Sequence, residues 1–355
     1  MPLVHICKVI QGEDKRGLNM RSINNMLLNR RQLVALGLGT TATFGLAACG
    51  GSGDSAQNTD AEQVATEEVK LEDEQEAPAV DAAAFDKALA GGPVADDALI
   101  AASAWATKVK EAGTLRVGGV ETSTFFSLLN VEDGHYRGFD AGLFQLLARY
   151  ITGDEANFKL TKVTSDTRES VLTNDTVDVV FATYSYTEDR AKKIDFAGPY
   201  YTSQQSILVK KDNADITGLD DLAGKNVAVQ SGSTGPSIVE KLVPDAVQQQ
   251  FSTDEEARLA LEQGRVDAYV IDNTMQMGAI ARNPSKYKIV GEPFGDIDPY
   301  GIGLSKDAEG AVDFVNDFLA AIEEGEIWSQ LWQICIGDRI GSTDVPAIPA
   351  IGVFE

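Results

Sequence analysis

Arg190 is the residue in this chain whose type and position could do chemistry, and the chemistry is the capture of a carboxylate. A guanidinium is always charged and forks onto a carboxylate through two hydrogen bonds. Arg190 closes the run Thr187-Glu188-Asp189-Arg190, a charged turn that opens a short helix. Before it come the apolar triplet Val179-Val180-Phe181, which reads as a buried parallel strand, and then the small or hydroxylated Ala182, Thr183 and Ser185. Ligands of open α/β sheets bind just beyond the carboxyl ends of strands. Taken alone, Arg190 reads more readily as an ordinary surface cation on a helix. Two other places could join it. Asp272 ends an apolar strand; it is either a solvated strand-end acid or, if buried, in need of a cationic partner. Ser231-Gly232-Ser233-Thr234-Gly235-Pro236 lies between a strand and a helix. It is either a plain β-α turn or a set of outward amides, carrying partial positive charge, at a helix start.

The charge balance narrows the function classes. Across 355 residues, 54 acidic side chains outnumber 30 basic ones, for a net charge of −24. Neutralising phosphates takes clustered Lys and Arg, so no nucleic-acid partner is expected. The histidines are His5 and His135 and the cysteines Cys7, Cys49 and Cys335, with no metal-ligand spacing among them. Neither a metal site nor a cofactor is expected. Cys335 stands near Trp328, Leu331 and Trp332 in an apolar helical pattern and reads as a buried free thiol. The length and an apolar fraction of 43% suffice for two domains with sizeable cores.

The elements that must position Arg190 alternate between strand and helix. Residues 115–120 and 158–163 read as strands, 139–151 and 168–173 as helices, and 177–181 as the strand that leads to Arg190. A second series begins at 206–209, with strands 227–230 and 268–271 and helices 218–222, 237–242 and 257–263. Residues 300–304 return to the first series, and 312–332 supply C-terminal helices. Such alternation indicates parallel sheet with crossover connections. Residues 199–206 and 294–300 are the expected hinge crossings, and 85–112 has helix-forming composition. After residue 339 the tail reads as either disordered or packed across the back of the first lobe.

Upstream, translation can start at Met1 or Met20. Arg21, Arg30 and Arg31 precede an apolar run at 33–48 that is short for a membrane span and reads as a signal-peptide core. Asn29-Arg30-Arg31-Gln32-Leu33-Val34 fits twin-arginine export and a general secretory signal alike. Leu46-Ala47-Ala48-Cys49-Gly50 reads as a lipobox, with Cys49 the lipidated residue that anchors an exported protein to the outer face of the cell membrane. Residues 50–86 are Gly, Ser, Ala, Gln and acid with Lys70 the only cation, the composition of a disordered tether.

Four blocks in order resemble the polar amino-acid-binding proteins of bacterial ABC importers, the extracellular solute-binding proteins of family 3. They are Gly138-Phe139-Asp140; Thr187-Glu188-Asp189-Arg190 with Asp195-Phe196-Ala197-Gly198-Pro199-Tyr200; Gly224-Lys225-Asn226-Val227-Ala228-Val229-Gln230-Ser231-Gly232-Ser233-Thr234; and Gly264-Arg265-Val266-Asp267-Ala268-Tyr269-Val270-Ile271-Asp272. The resemblance spans residues 115–339 and implies an α/β, two-lobed periplasmic-binding-protein-like fold of type II, with two parallel-sheet lobes joined by two hinge crossings. The expected organisation is an N-terminal extension and signal at 1–49, the tether at 50–86 and a helical lead-in at 87–114. Lobe 1 takes 115–204 and 297–355, and lobe 2 takes 205–296.

The resemblance also implies roles. Arg190 clamps the ligand α-carboxylate with the amide and hydroxyl of Ser185, Ser233 and Thr234 meet it from the facing lobe, and Asp272 pairs with the α-ammonium. Thr164-Ser165-Asp166-Thr167-Arg168 resembles a block in members that bind acidic or amide amino acids. There Arg168 pairs with a side-chain carboxylate or carbonyl and Thr183 adds a hydroxyl, the alternative for Arg168 being a structural ion pair. Val120 and Asp254 stand where some aspartate and glutamate binders carry arginine and histidine, so selection for an acidic side chain is weakened and glutamine or asparagine stays open. Phe125 and Phe126 either wall the pocket or pack the core. The implied function is capture of a polar L-amino acid between two lobes for import by a membrane permease and its ATPase. Two rivals share the fold: a periplasmic enzyme such as a cyclohexadienyl dehydratase, and a sensory receptor. No proton donor or nucleophile–base pair stands out, so the chain is not expected to be an enzyme. A sensor is normally fused to a membrane span and a cytoplasmic module, neither of which precedes Glu355.

Overall fold

Asp81 starts the first helix among the described residues: its carboxylate accepts a hydrogen bond from Ala84 N at 3.0 Å and caps α1 (Ala82–Ala90). The computed structural model describes residues 78–354, so the export signal, the Cys49 lipobox and most of the tether lie outside the described residues. The expected tether boundary at 86 is corrected by this cap. Phe85 and Leu89 give the segment an apolar face, and that face is buried. Asp96 caps α2 (Asp97–Ala102), Ser103 caps α3 (Ala104–Ala112), and Gly113 ends the run in a left-handed conformation. Phe85, Leu89, Trp105 and Val109 join the main core, with Trp105 and Phe314 ring centroids 6.1 Å apart. At ~1.5–3 kcal/mol for each large apolar side chain buried, these helices belong to the first lobe.

The first lobe continues with β1 (Leu115–Gly119), the small antiparallel sheet β2 (Thr122–Ser123), β3 (Ser127–Leu129) and β4 (Tyr136–Arg137), then α4 (Phe139–Thr152) and β5 (Phe158–Lys162). After α5 (Arg168–Thr173), β6 (Val179–Phe181) and α6 (Glu188–Ala191), the chain crosses on the long β7 (Asp195–Lys210). The second lobe holds a 3-10 turn (Leu219–Leu222), β8 (Asn226–Gln230), α7 (Gly235–Leu242), β9 (Val247–Phe251), α8 (Asp254–Glu262), β10 (Ala268–Asp272) and α9 (Asn273–Arg282). The return crossing is β11 (Tyr287–Leu304), followed by α10 (Ala311–Glu324) and α11 (Ile327–Trp332).

The strand order is β5-β1-β6-β11-β7-β10-β8-β9, one sheet of eight. The two expected parallel-sheet lobes and two crossings are present: β1, β5 and β6 are parallel in one lobe, β8, β9 and β10 in the other, and antiparallel β7 and β11 join them into a single sheet. The reason is backbone accounting. A long crossing must satisfy its amides and carbonyls, and the two crossings do so largely on each other. Register shifts between Val290 and Phe294 and between Phe294 and Asp298 interrupt this ladder between the lobes. Bulges of this kind bend a strand and re-aim its side chains.

Aromatic rings fill the first lobe next to the crossing. Phe126 packs edge-on against Phe139, Tyr201 and Tyr300, with centroids 6.1, 5.3 and 6.0 Å away. Phe125 is equally buried and carries the Arg339 guanidinium over its ring, so both phenylalanines are core residues. Cys335 is a buried free thiol, pushed above its usual range by burial. The tail packs: Gly352 N donates to Gly198 O at 2.7 Å, and Phe354 stacks on Tyr186 at 4.5 Å.

Candidate functional site

Gly138 leads into the site from behind. Its φ is +137°, and a Cβ there would lie 2.4 Å from the Phe126 carbonyl oxygen, so only glycine fits. The close approach sets α4 so that Asp140 is fully buried beneath the end of β6. Asp140 accepts from Thr183 N at 3.0 Å and from the Tyr200 hydroxyl at 2.7 Å. Burial pushes its carboxyl up to about 6 against the pull of those two bonds. Thr183 is held at φ +43°, a left-handed conformation that costs a threonine about 1–2 kcal/mol. That strained turn aims the Ala182 and Ser185 carbonyls at the two arginines.

Arg168 and Arg190 both pack against the Tyr184 ring, their guanidinium carbons 3.9 and 5.3 Å from its centroid. Arg190 donates to Ser185 O at 2.6 Å and, across the lobes, to Gly232 O at 2.8 Å. Arg168 is 3% exposed and donates to Ala182 O at 3.1 Å, while its Nε has no partner among the described residues. Burial, then the neighbouring charge of Arg190, pulls the Arg168 guanidinium down to about 9, which leaves it charged at neutral pH. Among the described residues neither arginine forms an ion pair with a carboxylate. Two buried guanidiniums with donors to spare are suited to an anion.

The acids stand on the other lobe and the crossing. Asp272, at the end of β10, accepts from Gln205 Nε2 at 2.6 Å and from the Tyr300 hydroxyl at 2.7 Å. Burial raises its carboxyl above the usual range. Asp298 on β11 accepts from the Ser185 hydroxyl at 2.9 Å and the Thr234 hydroxyl at 3.2 Å. Burial and then the charge of Asp272 push Asp298 up to about 7. Ring contacts and hydrogen bonds thus link Arg168, Ser185, Arg190, Thr234 and Asp272 through Tyr184, Asp298 and Gln205, while Thr183 is placed beside them only by its amide on Asp140. Ser233 borders it, with its hydroxyl turned to its own loop: it donates to Gln230 O at 2.7 Å and accepts from Gly235 N at 3.2 Å. Asp254 is elsewhere, paired with Arg258 at 2.7 Å on α8.

No motif or residue pattern in the sequence points to Asp298 or Gln205. Both lie in the crossing strands, and the neighbour of Asp298 points the wrong way for a hydrophobic pattern: Ile297 is 61% exposed while Asp298 is 7% exposed.

The lobes meet at Gly232. Ser231 Oγ donates to Asp166 at 2.9 Å, and a Cβ on Gly232 would lie 2.5 Å from Asp166 Oδ1 and 2.8 Å from Asp166 N. Gly232→Ala is expected to hold the lobes apart and lower ligand affinity about tenfold, or ~1.4 kcal/mol. Calorimetric titration with native affinity in this variant would show that the approach is not needed.

Residues 115–334 match the bacterial extracellular solute-binding proteins, family 3. The glutamine-binding protein of Geobacillus stearothermophilus is 37% identical over 203 residues, 57% of this chain and 76% of that protein. The glutamate-binding protein of Corynebacterium glutamicum is 32% identical over 223 residues, 60% of this chain and 74% of that protein. Among solved structures, an ancestral arginine-binding protein bound to arginine superposes with a TM-score of 0.58 at 33% identity, covering 63% of this chain and 99% of that one. With the family match spanning more than half the chain and the strands, crossings and cleft arranged as described, this chain belongs to the extracellular solute-binding proteins of family 3.

Proposed function

We propose that the cleft captures a polar L-amino acid whose side chain ends in a carboxylate or an amide. What supports this is that two buried arginines and two buried aspartates stand near one another without forming ion pairs, since a zwitterion brings both signs of charge. Arg190 takes the α-carboxylate, Asp272 faces the α-ammonium, and Arg168 meets the side-chain oxygen. The glutamine- and glutamate-binding relatives support this ligand class.

Capture by groups on both lobes favours the closed form through contacts made only there. The closed receptor then delivers its amino acid to a membrane permease driven by an ATPase, held near it by a lipid anchor at Cys49. It acts as a receptor, not as an enzyme. Among the described residues no helix is long and apolar enough to cross a membrane.

Calorimetric titration tests the reading, after unfolding and refolding to strip bound amino acid. Glutamate, aspartate, glutamine or asparagine is expected to bind. Arg168→Ala should weaken that ligand by about 10- to 100-fold, the ~1.5–3 kcal/mol of a charge-assisted hydrogen bond, while changing weak binding of alanine little. Absence of binding to all twenty amino acids would sink the reading.

A further inference from the structure

We infer that Asp298, a residue of the return crossing with no role assigned by the family resemblance, is a specificity-determining residue for the ligand's ammonium end. It orients the hydroxyls of both lobes so that they accept hydrogen bonds from the ligand. The inference rests on the amino-acid reading above.

The geometry is a matter of counting protons. A hydroxyl has one proton to donate and two lone pairs to accept with. Ser185 of lobe 1 spends its proton on Asp298 at 2.9 Å, and Thr234 of lobe 2 spends its own on the same oxygen at 3.2 Å. Both hydroxyls are therefore acceptors toward anything else, which for Ser185 reverses the hydroxyl-donor role to a carboxylate expected from the sequence. Thr234 already accepts from Gln205 Nε2 at 3.3 Å, which leaves it one lone pair.

Gln205 adds to the same face. Its Nε2 is committed to Asp272, and its Oε1 is a buried acceptor with no partner among the described residues. Tyr300 donates to Asp272 at 2.7 Å, so it too has no proton left to offer. Two carboxylates, two hydroxyl oxygens and an amide oxygen thus form a surface rich in acceptors, and a group with several N–H donors and a positive charge is what satisfies it. An amino acid's ammonium has three such donors. The mutual repulsion of Asp272 and Asp298 in a buried setting is relieved by the same cation. Arg190 and Arg168, the charged groups facing the pair from lobe 1, are directed at carbonyls in that lobe and the Gly232 loop, so they do not fill the acceptor face.

The test compares ligands with and without the ammonium. L-glutamine and its des-amino counterpart glutaramate, and L-glutamate and glutarate, are titrated at pH 8 into the native protein, Asp298→Asn and Ser185→Ala. The native protein is expected to prefer each amino acid over its des-amino partner by about a hundredfold or more. Asp298→Asn should shrink that ratio by about tenfold, through weaker binding of the amino acid alone, and Ser185→Ala should shrink it by about threefold. Equal weakening of both partners in both variants, or an unchanged ratio in both, overturns the inference and leaves the amino-acid reading standing. If the native protein binds neither glutamine nor glutamate, the ligand class proposed above fails and this inference fails with it.

Discussion

Arg190→Ala is expected to reduce amino-acid affinity by between a hundredfold and several thousandfold. Removing one partner of a buried charge pair costs ~3–5 kcal/mol, because the other charge is left in a low-dielectric site without compensation. On the proposed function the uncompensated group is the ligand's α-carboxylate. The arginine also ties the Ser185 carbonyl of lobe 1 to the Gly232 carbonyl of lobe 2, so its loss removes one bond that closes the lobes. Arg190→Lys should recover little. An ammonium is a point charge without the planar fork needed to hold a carboxylate and two divergent carbonyls together. Calorimetry on both variants checks this. Affinity within threefold of native in Arg190→Ala would mean that the carboxylate is held elsewhere, with Arg168 the next residue to test.

Asp272→Asn is expected to move binding and stability in opposite directions. Binding should fall about a hundredfold or more, since the ammonium loses a buried counter-charge worth ~3 kcal/mol. Stability should rise at alkaline pH. Burial holds the Asp272 carboxyl above its usual value, so the folded chain binds more protons there than the unfolded chain does. Between the unfolded value and the raised folded one, stability therefore falls as pH rises, and the full penalty is present above both. Asparagine keeps the shape and removes the charge. Its melting temperature should exceed that of the native protein at pH 8, by about 2–4 °C for each kcal/mol relieved, and the gap should close near pH 4. Thermal unfolding at the two pH values, beside calorimetry, makes the check. A lower melting temperature at pH 8 with unchanged affinity would place Asp272 among structural residues. Asp298, raised by burial and by Asp272 itself, adds to the same alkaline penalty. The two buried acids together are a stability cost, one that the proposed binding role explains.

The sequence by itself determined what depends on neighbours along the chain. The all-apolar Val179-Val180-Phe181 strand, the cap at Thr187 that starts Arg190's helix and the strand ending at Asp272 are local patterns, and each lies where its pattern predicts. The two-lobed fold was legible for the same reason, because alternating strands and helices leave few connections open. The boundary of the tether is not legible in composition, which averages over a long stretch, whereas Asp81 acts on a single helical turn.

Only the tertiary structure decided the roles that depend on distant pairs of residues. Asp140 pins Thr183 from 43 positions away, Asp298 meets Ser185 across 113, and Arg190 reaches Gly232 across 42. The Asp298 contact depends on the register of β7 on β11, and a bulge in that ladder lies between Phe294 and Asp298. A one-residue slip in a strand turns every side chain to the opposite face. The alternation of residue types around Asp298 carries no record of that slip, so an exposed isoleucine and a buried aspartate look interchanged until the strands are paired.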